Sequence, residues 1–159
     1  MVTEPSEIIK FFGTEEPSSA VHILRAGKLT AEFDAGNLRH VRFDGIEVIR
    51  AVSFIVRDRN WGTYNPSILN LKIEEKAKGF LVSYEANACD EQQEFRYRAV
   101  IEGTESGHLT FRSEGEAVTD FLTNRTGFVI LHPIAGVAGN PVEIEHTDGR
   151  IVRGHFPDL

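Results

Sequence analysis

The feature that most constrains this chain is an alternation of apolar and polar side chains that persists from Val21 to Phe156. Residues 29–33 alternate in this way, residues 69–74 repeat the pattern, and residues 95–102 extend it over a longer segment. Successive side chains of a β-strand point to opposite faces, so a period of two is typical of strands with one buried face. We therefore predict a chain built mainly of β-strands.

Short turn signals separate these segments, for example Ala26-Gly27, Asp44-Gly45, Lys78-Gly79 and Asp148-Gly149. Glycine favours such turns because it adopts positive φ without steric cost. About ten strands joined by short turns, with almost no helix, are typical of an antiparallel sandwich or barrel. The predicted fold class is all-β, with an antiparallel β-sandwich as the preferred architecture.

One helical signal spans Thr3 to Phe12. Acidic residues near its start suit the positive end of a helix, apolar residues form one face, and Gly13 follows as a helix terminator. A polar linker continues to Ser19. We expect residues 1–20 to form this helix and linker, and residues 21–159 to form the β-sandwich domain.

Net charge, cysteine content and the lack of long apolar runs limit the classes of partner and the cellular location that we expect. The formal net charge of −7 argues against a nucleic-acid partner, because phosphate binding requires a basic surface. Cys89 is the single cysteine, so no internal disulfide forms, and its polar neighbours do not favour a reactive thiol. No apolar run approaches the length of a membrane span, and acidic residues stand where a signal peptide needs basic ones. We expect a cytoplasmic protein with no membrane partner.

Two polar clusters stand out because each adjoins an apolar strand. Asp120 to Thr126 precedes the apolar residues 128–131, and Arg57 to Tyr64 follows the apolar residues 51–56, which we expect to be buried on both faces. We predict that the two clusters lie together at one end of the sandwich and form a site or an interface. The side chains in them with the strongest binding chemistry are the ligand-binding candidates: Arg57, Asn60, Trp61, Asn124 and Arg125.

The chemistry of these clusters admits two interpretations. Guanidinium, amide and hydroxyl groups bind a polyol or a carboxylate, but the same groups also hold a loop against its neighbours. Trp61 is the only tryptophan, and its position in a predicted loop suits a platform for a sugar ring, whereas a lone tryptophan of a sandwich also suits the core. Both interpretations stay open at this point.

Three residues are candidates for acid–base chemistry. His132 closes the predicted strand at residues 128–131, where it serves either as a general base or as a partner of a backbone carbonyl, and we favour the second. Asp58 and Asp120 each have an arginine close in sequence, which keeps a carboxylate ionised and suits structure better than catalysis. The six histidines lack the spacing of a metal site, so we expect neither a metal nor another cofactor.

Beyond these patterns, the sequence resembles the N-terminal β-sandwich region of the D-apionate lactonase family from about Val21 to its end. The motifs that carry the resemblance are Leu24 to Gly27, Gly36 to Arg39, Gly45 to Arg50, Arg57 to Tyr64, Thr119 to Phe128, Leu131 to Pro133, Gly136 to Gly139 and Phe156 to Leu159. They include both polar clusters.

The resemblance implies a sandwich that precedes a TIM-type barrel in a protein that hydrolyses a sugar-acid lactone. It also implies that this chain stops at Leu159 where the family continues into the barrel. TIM-barrel enzymes build their sites on barrel loops, so catalysis is expected in the downstream barrel, with the sandwich inactive alone. The sandwich is similar, at the level of fold, to galactose mutarotase-like domains. We also expect an apolar docking face that favours homo-oligomers of the isolated chain.

Two other functions stay open. The chain would be an independent carbohydrate-binding module if Trp61 and the Arg/Asn cluster bind a sugar or sugar-acid ligand. It would be a small complete enzyme of mutarotase or lactonase type if His132 acts with a carboxylate. An exposed aromatic platform favours the first of these, and a pocket in which His132 faces Asp58 or Asp120 favours the second.

Overall fold

A computed structural model describes Ile9, Gly13 and residues 20–158 of the chain. The predicted helix from Thr3 to Phe12 and the linker after it lie outside the described residues, apart from Ile9 and Gly13. The described residues contain eleven strands: β1 His22–Ala26, β2 Leu29–Asp34, β3 Asn37–Phe43, β4 Ile46–Asp58, β5 Ser67–Lys76, β6 Gly79–Cys89, β7 Glu94–Thr104, β8 Leu109–Ala117, β9 Thr123–Leu131, β10 Pro141–Glu145 and β11 Ile151–His155.

The strands form two main sheets and a separate hairpin. The first sheet has the order β1-β2-β3-β4-β9, the second has the order β5-β6-β7-β8, and β10 pairs with β11 alone. All of these pairings are antiparallel. Most neighbours are consecutive along the chain because short turns allow only antiparallel pairing, whereas β9 returns to β4 after the whole second sheet. The prediction of an all-β antiparallel fold is confirmed.

The core lies between the two sheets, which makes the fold a β-sandwich. Leu29, Ala31 and Phe33 are buried on β2, whereas the residues between them are half-buried. The same alternation on β6 and β7 buries every second side chain. The rings of Phe33 and Tyr84, from opposite sheets, have centroids 5.9 Å apart. Burial of these inner faces is the main favourable contribution to folding.

Two buried tyrosines bring hydroxyl groups into this core. The Tyr84 hydroxyl donates a hydrogen bond to the carbonyl of Gly36 at 2.7 Å. Burial, followed by the charge of the neighbouring Tyr97, raises the pKa of Tyr84. Burial raises the pKa of Tyr97 to about 12. Both hydroxyls therefore favour their neutral form in the folded protein.

The structure corrects two expectations about β4 and β9. Arg57 and Asp58 continue β4, and residues 123–126 begin β9, so both polar clusters are partly strand rather than loop. Polar side chains at the end of a sheet leave the backbone ladder intact, which explains why the strands extend into them. Residues 51–56 were expected to be buried on both faces, but Ser53, Phe54 and Ile55 are only half-buried.

The β8–β9 side of the sandwich is open in the described part of the chain. Phe128 of β9 packs edge-on against Phe111 of β8, with centroids 5.0 Å apart, and closes part of the gap between the sheets. Phe128 is nevertheless 43% exposed, and Ile130, two residues further along the same strand face, is 52% exposed. We call Phe111, Phe128 and Ile130 the apolar edge.

Candidate functional site

The pairing of β4 with β9 brings the two polar clusters together. Arg57 pairs with Arg125 and Asp58 pairs with Thr123. The Thr123 hydroxyl donates to the Arg57 carbonyl at 2.7 Å and lies 3.0 Å from the Thr126 hydroxyl. The predicted juxtaposition at one end of the sandwich is therefore present, and the long return of the chain to β9 creates it.

Asp58 organises the loop that follows β4. Its Oδ1 accepts hydrogen bonds from the backbone amides of Asn60 at 2.6 Å and Gly62 at 2.9 Å. The Asp58 amide in turn donates to the Gly62 carbonyl at 2.9 Å. A β-carbon at position 62 would lie 2.4 Å from Asp58 Oδ2, so the loop closes this tightly only with glycine there. The carboxylate thus holds the loop in place, which is the structural alternative considered for it.

This loop presents Trp61 to the surface. Trp61 has a φ of 71°, a left-handed conformation that a bulky residue adopts only when its surroundings enforce it, and its side chain is 55% exposed. The guanidinium carbons of Arg57 and Arg125 lie 5.6 and 5.8 Å from the centre of its ring, within cation–π range. We call Arg57, Trp61 and Arg125 the Arg–Trp cluster. Trp61 is a surface residue here, and the core interpretation is wrong.

The electrostatics of the Arg–Trp cluster are unusual. Arg57 and Arg125 stand directly opposite each other on neighbouring strands. Among the described residues, neither guanidinium forms an ion pair with a carboxylate. Arg57 Nε is buried, and no described residue accepts a hydrogen bond from it. Like charges in opposed positions of a sheet destabilise it, and the ring of Trp61, within cation–π range of both groups, offsets part of their repulsion.

A second polar network, which sequence reasoning missed, braces the same end of the sandwich. Tyr64 donates to the Asp90 carboxylate, and Gln93 Nε2 donates to the Tyr64 hydroxyl at 2.7 Å. Gln93 Oε1 accepts a hydrogen bond from the Leu122 amide at 3.0 Å and so joins the loop between β6 and β7 to the segment before β9. Burial and then the bond to Asp90 raise the pKa of Tyr64, and that bond lowers the pKa of Asp90.

The signal for this network was weak in the sequence. Asp90 Oδ1 also accepts from the amides of Gln92 and Gln93 at 2.8 and 2.9 Å, which is a local turn motif that an aspartate followed by polar residues favours. That motif predicts a turn after β6. The long-range bonds of Tyr64 and Gln93 have no counterpart in local sequence pattern.

The structure separates the acid–base candidates. His132 follows the far end of β9, where its ring lies 5.3 Å from that of Phe156. Asp58 pairs with Thr123 at the near end, and Asp120 precedes that end. Eight residue steps of about 3.3 Å separate the two ends, which amounts to roughly 26 Å. His132 therefore faces neither carboxylate.

The two asparagines are exposed near the Arg–Trp cluster. Asn60 lies in the loop beside Trp61, where its backbone amide bonds to Asp58. Asn124 falls at the register shift between the Arg57–Arg125 and Asp58–Thr123 pairs, so it has no partner residue on β4. Asn60 and Asn124 are the sequence neighbours of Trp61 and Arg125. Their part in ligand binding stays a prediction.

A shallow depression of about 600 Å³ lies on the outer face of the second sheet. Arg98 there pairs with Glu85 at 3.3 Å, and Asn70 donates to the same glutamate at 2.8 Å. Because these groups bond one another, the depression has the character of an ion-pair ladder on a solvated sheet face. In the described residues, no group of three or more His, Cys, Asp or Glu side chains is placed to hold a metal. Nor do those residues include a helix long and apolar enough to cross a membrane.

Comparisons with known proteins identify a family for the chain. The family model described as "D-apionate lactonase, N-terminal domain" matches residues 9–159. A D-apionate lactonase of Brucella anthropi is 45% identical over 150 residues, an alignment that covers 93% of this chain and 24% of that protein. The chain thus spans about a quarter of the length of this relative. No solved structure matches.

Proposed function

The chain belongs to the family of D-apionate lactonase N-terminal domains, and from this we propose that it is the non-catalytic N-terminal sandwich of a larger enzyme that hydrolyses a sugar-acid lactone. In this proposal the catalytic groups lie in a downstream barrel domain, and the sandwich supports that domain. The single cysteine keeps the cytoplasm as the proposed location.

The observation that carries this proposal is the separation of His132 from the carboxylates. Hydrolysis of a lactone requires a base near neutral pKa and hydrogen-bond donors that converge on one carbonyl oxygen. Asp58 is engaged in its loop, and β9 places His132 at the opposite end of the sandwich from it. The described residues therefore supply no converging pair of base and donors.

The apolar edge supports a docking role. Phe128 and Ile130 leave apolar surface exposed at the open side of the sandwich, and such surface on a folded domain favours contact with another protein surface. The downstream domain is the occupant we propose, because about three quarters of the relative from Brucella anthropi lies outside the matched region, and the family model describes that region as an N-terminal domain.

A comparison of turnover tests the catalytic part of the proposal. We expect the 159-residue chain to give no measurable hydrolysis of the lactone of D-apionate, and the chain joined to the downstream segment of its gene to hydrolyse it. In the longer protein, His132→Ala is expected to change kcat/KM by less than about twofold, because its ring lies against Phe156, away from both carboxylates, and contributes no transition-state stabilisation. Hydrolysis by the 159-residue chain that His132→Ala abolishes would place the reaction in this domain and refute the proposal.

Self-association tests the docking role. The isolated chain is expected to form dimers or larger species as its concentration rises, measured by sedimentation velocity. Ile130→Asp should weaken this association, since it places a charge in the apolar edge, whereas Ile46→Asp is a matched control at a site that is 71% exposed elsewhere on the first sheet. Equal effects of the two substitutions would exclude the apolar edge as the docking surface.

An independent carbohydrate-binding module is the second candidate. The observation that favours it is the 55% exposure of Trp61, since exposed aromatic rings stack on sugar rings. The two flanking guanidinium groups make the surface cationic, however, which a neutral sugar does not require. Preference for a neutral polyol over a charged one of the same skeleton would support this module.

A further inference from the structure

The Arg–Trp cluster contains two positively charged guanidinium groups, and no carboxylate of the described residues pairs with either of them. Arg57 and Arg125 are directly opposed across β4 and β9, and within the described residues neither has a carboxylate partner. Eight other arginines and lysines of this part of the chain do form such pairs, at 2.7 to 3.7 Å. In a chain of net charge −7, two opposed arginines without an acidic partner are a local concentration of positive charge.

One member of the cluster, Arg57, is also partly removed from water, and the cluster is held in position. Arg57 is half-buried, and its Nε is shielded from water without a hydrogen-bond partner among the described residues. One of its terminal nitrogens donates to the Trp61 carbonyl at 3.4 Å, and the Trp61 ring lies against both guanidinium groups. A charge that is partly removed from water gains more from an anion than a fully hydrated one. The fixed loop lowers the entropy lost when such an anion binds.

Charge favours a carboxylate among the anions. Planar guanidinium groups bind carboxylate and phosphate oxygens through paired hydrogen bonds. The net charge of −7 opposes the approach of a phosphate dianion more strongly than that of a singly charged carboxylate. Asn60 and Asn124, the sequence neighbours of Trp61 and Arg125, carry amide groups of the kind that hydrogen-bond hydroxyl groups of a ligand.

We propose that the Arg–Trp cluster binds a small polyhydroxy carboxylate, with Arg57 and Arg125 on its carboxylate and the exposed Trp61 against its carbon chain. The carboxylate part of this inference rests on the two arginines alone, and the polyhydroxy part rests on the proposed function. Such a compound is the ring-opened form of a sugar-acid lactone, so the sandwich would hold the product class of the proposed reaction at a site separate from the catalytic groups.

Because Trp61 is the only tryptophan of the chain, its fluorescence reports directly on this site. We expect titration of the 159-residue protein with D-gluconate to change the emission of Trp61 in a saturable way. D-Glucitol, which replaces the carboxylate by a neutral hydroxymethyl group on the same skeleton, should give a response at least about tenfold weaker. Sodium acetate and inorganic phosphate are titrated at matched ionic strength.

Variants assign the response to the cluster. Arg125→Ala should weaken gluconate binding about tenfold or more, and Arg125→Lys should weaken it less, since the charge stays but the planar fork is lost. Arg150→Ala, in the turn between β10 and β11, removes the same charge from a hairpin outside the sheet that contains β4 and β9, and should leave binding unchanged. Unfolding midpoints of all three variants establish that each is folded, and calorimetric titration repeats the binding measurement without relying on the fluorescence of Trp61.

Each remaining outcome counts against the proposal. Equal binding of glucitol and gluconate would indicate a polyol module instead. Equal binding of acetate, phosphate and gluconate would indicate a general anion surface, and equal losses in Arg125→Ala and Arg150→Ala would indicate a net-charge effect. No response to gluconate by fluorescence or calorimetry would refute the site while leaving the proposed function intact, because that function is judged by turnover with the downstream segment.

Discussion

Replacement of Phe80 by alanine is expected to lower the free energy of unfolding by about 3–5 kcal/mol, a large share of the roughly 5–15 kcal/mol that stabilises a domain. Phe80 is 2% exposed on the inner face of β6. Its ring covers Gly103 on β7, where a β-carbon would meet ring atoms at 2.3 Å. Removing the ring leaves a cavity against a residue that has no side chain to fill it. Urea unfolding followed by circular dichroism measures the change.

Two further variants make this result specific. Val100→Ala removes apolar atoms from the outer face of the same sheet, where Val100 is 42% exposed, and should cost less than about 1 kcal/mol. Gly103→Ala alone should destabilise the protein because its methyl group overlaps the Phe80 ring. In the Phe80→Ala background the same methyl group enters the cavity, so its cost should shrink or change sign. Additive effects of Phe80→Ala and Gly103→Ala would contradict the packing described here.

Stability is expected to fall steeply above about pH 10, because two core tyrosines must stay neutral in the folded state. A tyrosine of the unfolded chain loses its proton near pH 10. Burial raises the pKa of Tyr97 to about 12 and also raises the pKa of Tyr84. When the pKa of a group is raised in the folded state, the contribution of that group to the free energy of unfolding is complete below the unfolded pKa. It is lost as the pH rises through the folded pKa. The shift of Tyr97 alone corresponds to a loss of about 2 kcal/mol between pH 10 and 12, and Tyr84 adds to this loss.

Tyr97→Phe provides the test of this pH dependence. The variant lacks one of the two titrating hydroxyls, so the decline of the unfolding free energy between about pH 10 and 12 should be shallower than in the native chain. Subtraction of the two curves removes the contribution of lysine and arginine residues common to both proteins. Tyr84→Phe should also flatten the decline, at the cost of about 1–3 kcal/mol at neutral pH, since it leaves the Gly36 carbonyl without its donor. Parallel curves for the native chain and Tyr97→Phe would contradict the prediction.

The strands themselves could be read from the sequence. Leu29, Ala31 and Phe33 alternate with polar residues, and the structure buries these three and leaves their neighbours half-buried. This succeeds because the side-chain period of a strand is a local property of the backbone, and turn glycines such as Gly45, with a φ of 82°, mark where strands end. The sequence also indicated the family, through motifs that include both polar clusters, and the family match confirms it.

The bounds of the polar clusters were less well determined. Arg57 and Thr123 were assigned to polar clusters outside the strands, yet both belong to strands, because ladder hydrogen bonds involve backbone atoms that are the same for polar and apolar residues. The role of the loop after β6, which contains Asp90, was not predicted from the sequence for a related reason. Its hydrogen bonds to Tyr64 and to Leu122 join positions 26 and 29 residues apart, which no local pattern records.

The sequence by itself therefore determined the strand periodicity, the all-β class, the family and the residue types of the candidate site. Only the tertiary structure decided that Arg57 and Arg125 oppose each other beside an exposed Trp61, and that His132 lies at the far end of β9 from Asp58. The physical reason is that periodicity and turn preference are set by neighbouring residues. The register of β9 on β4 is instead set by packing and hydrogen bonds between segments separated by the entire second sheet.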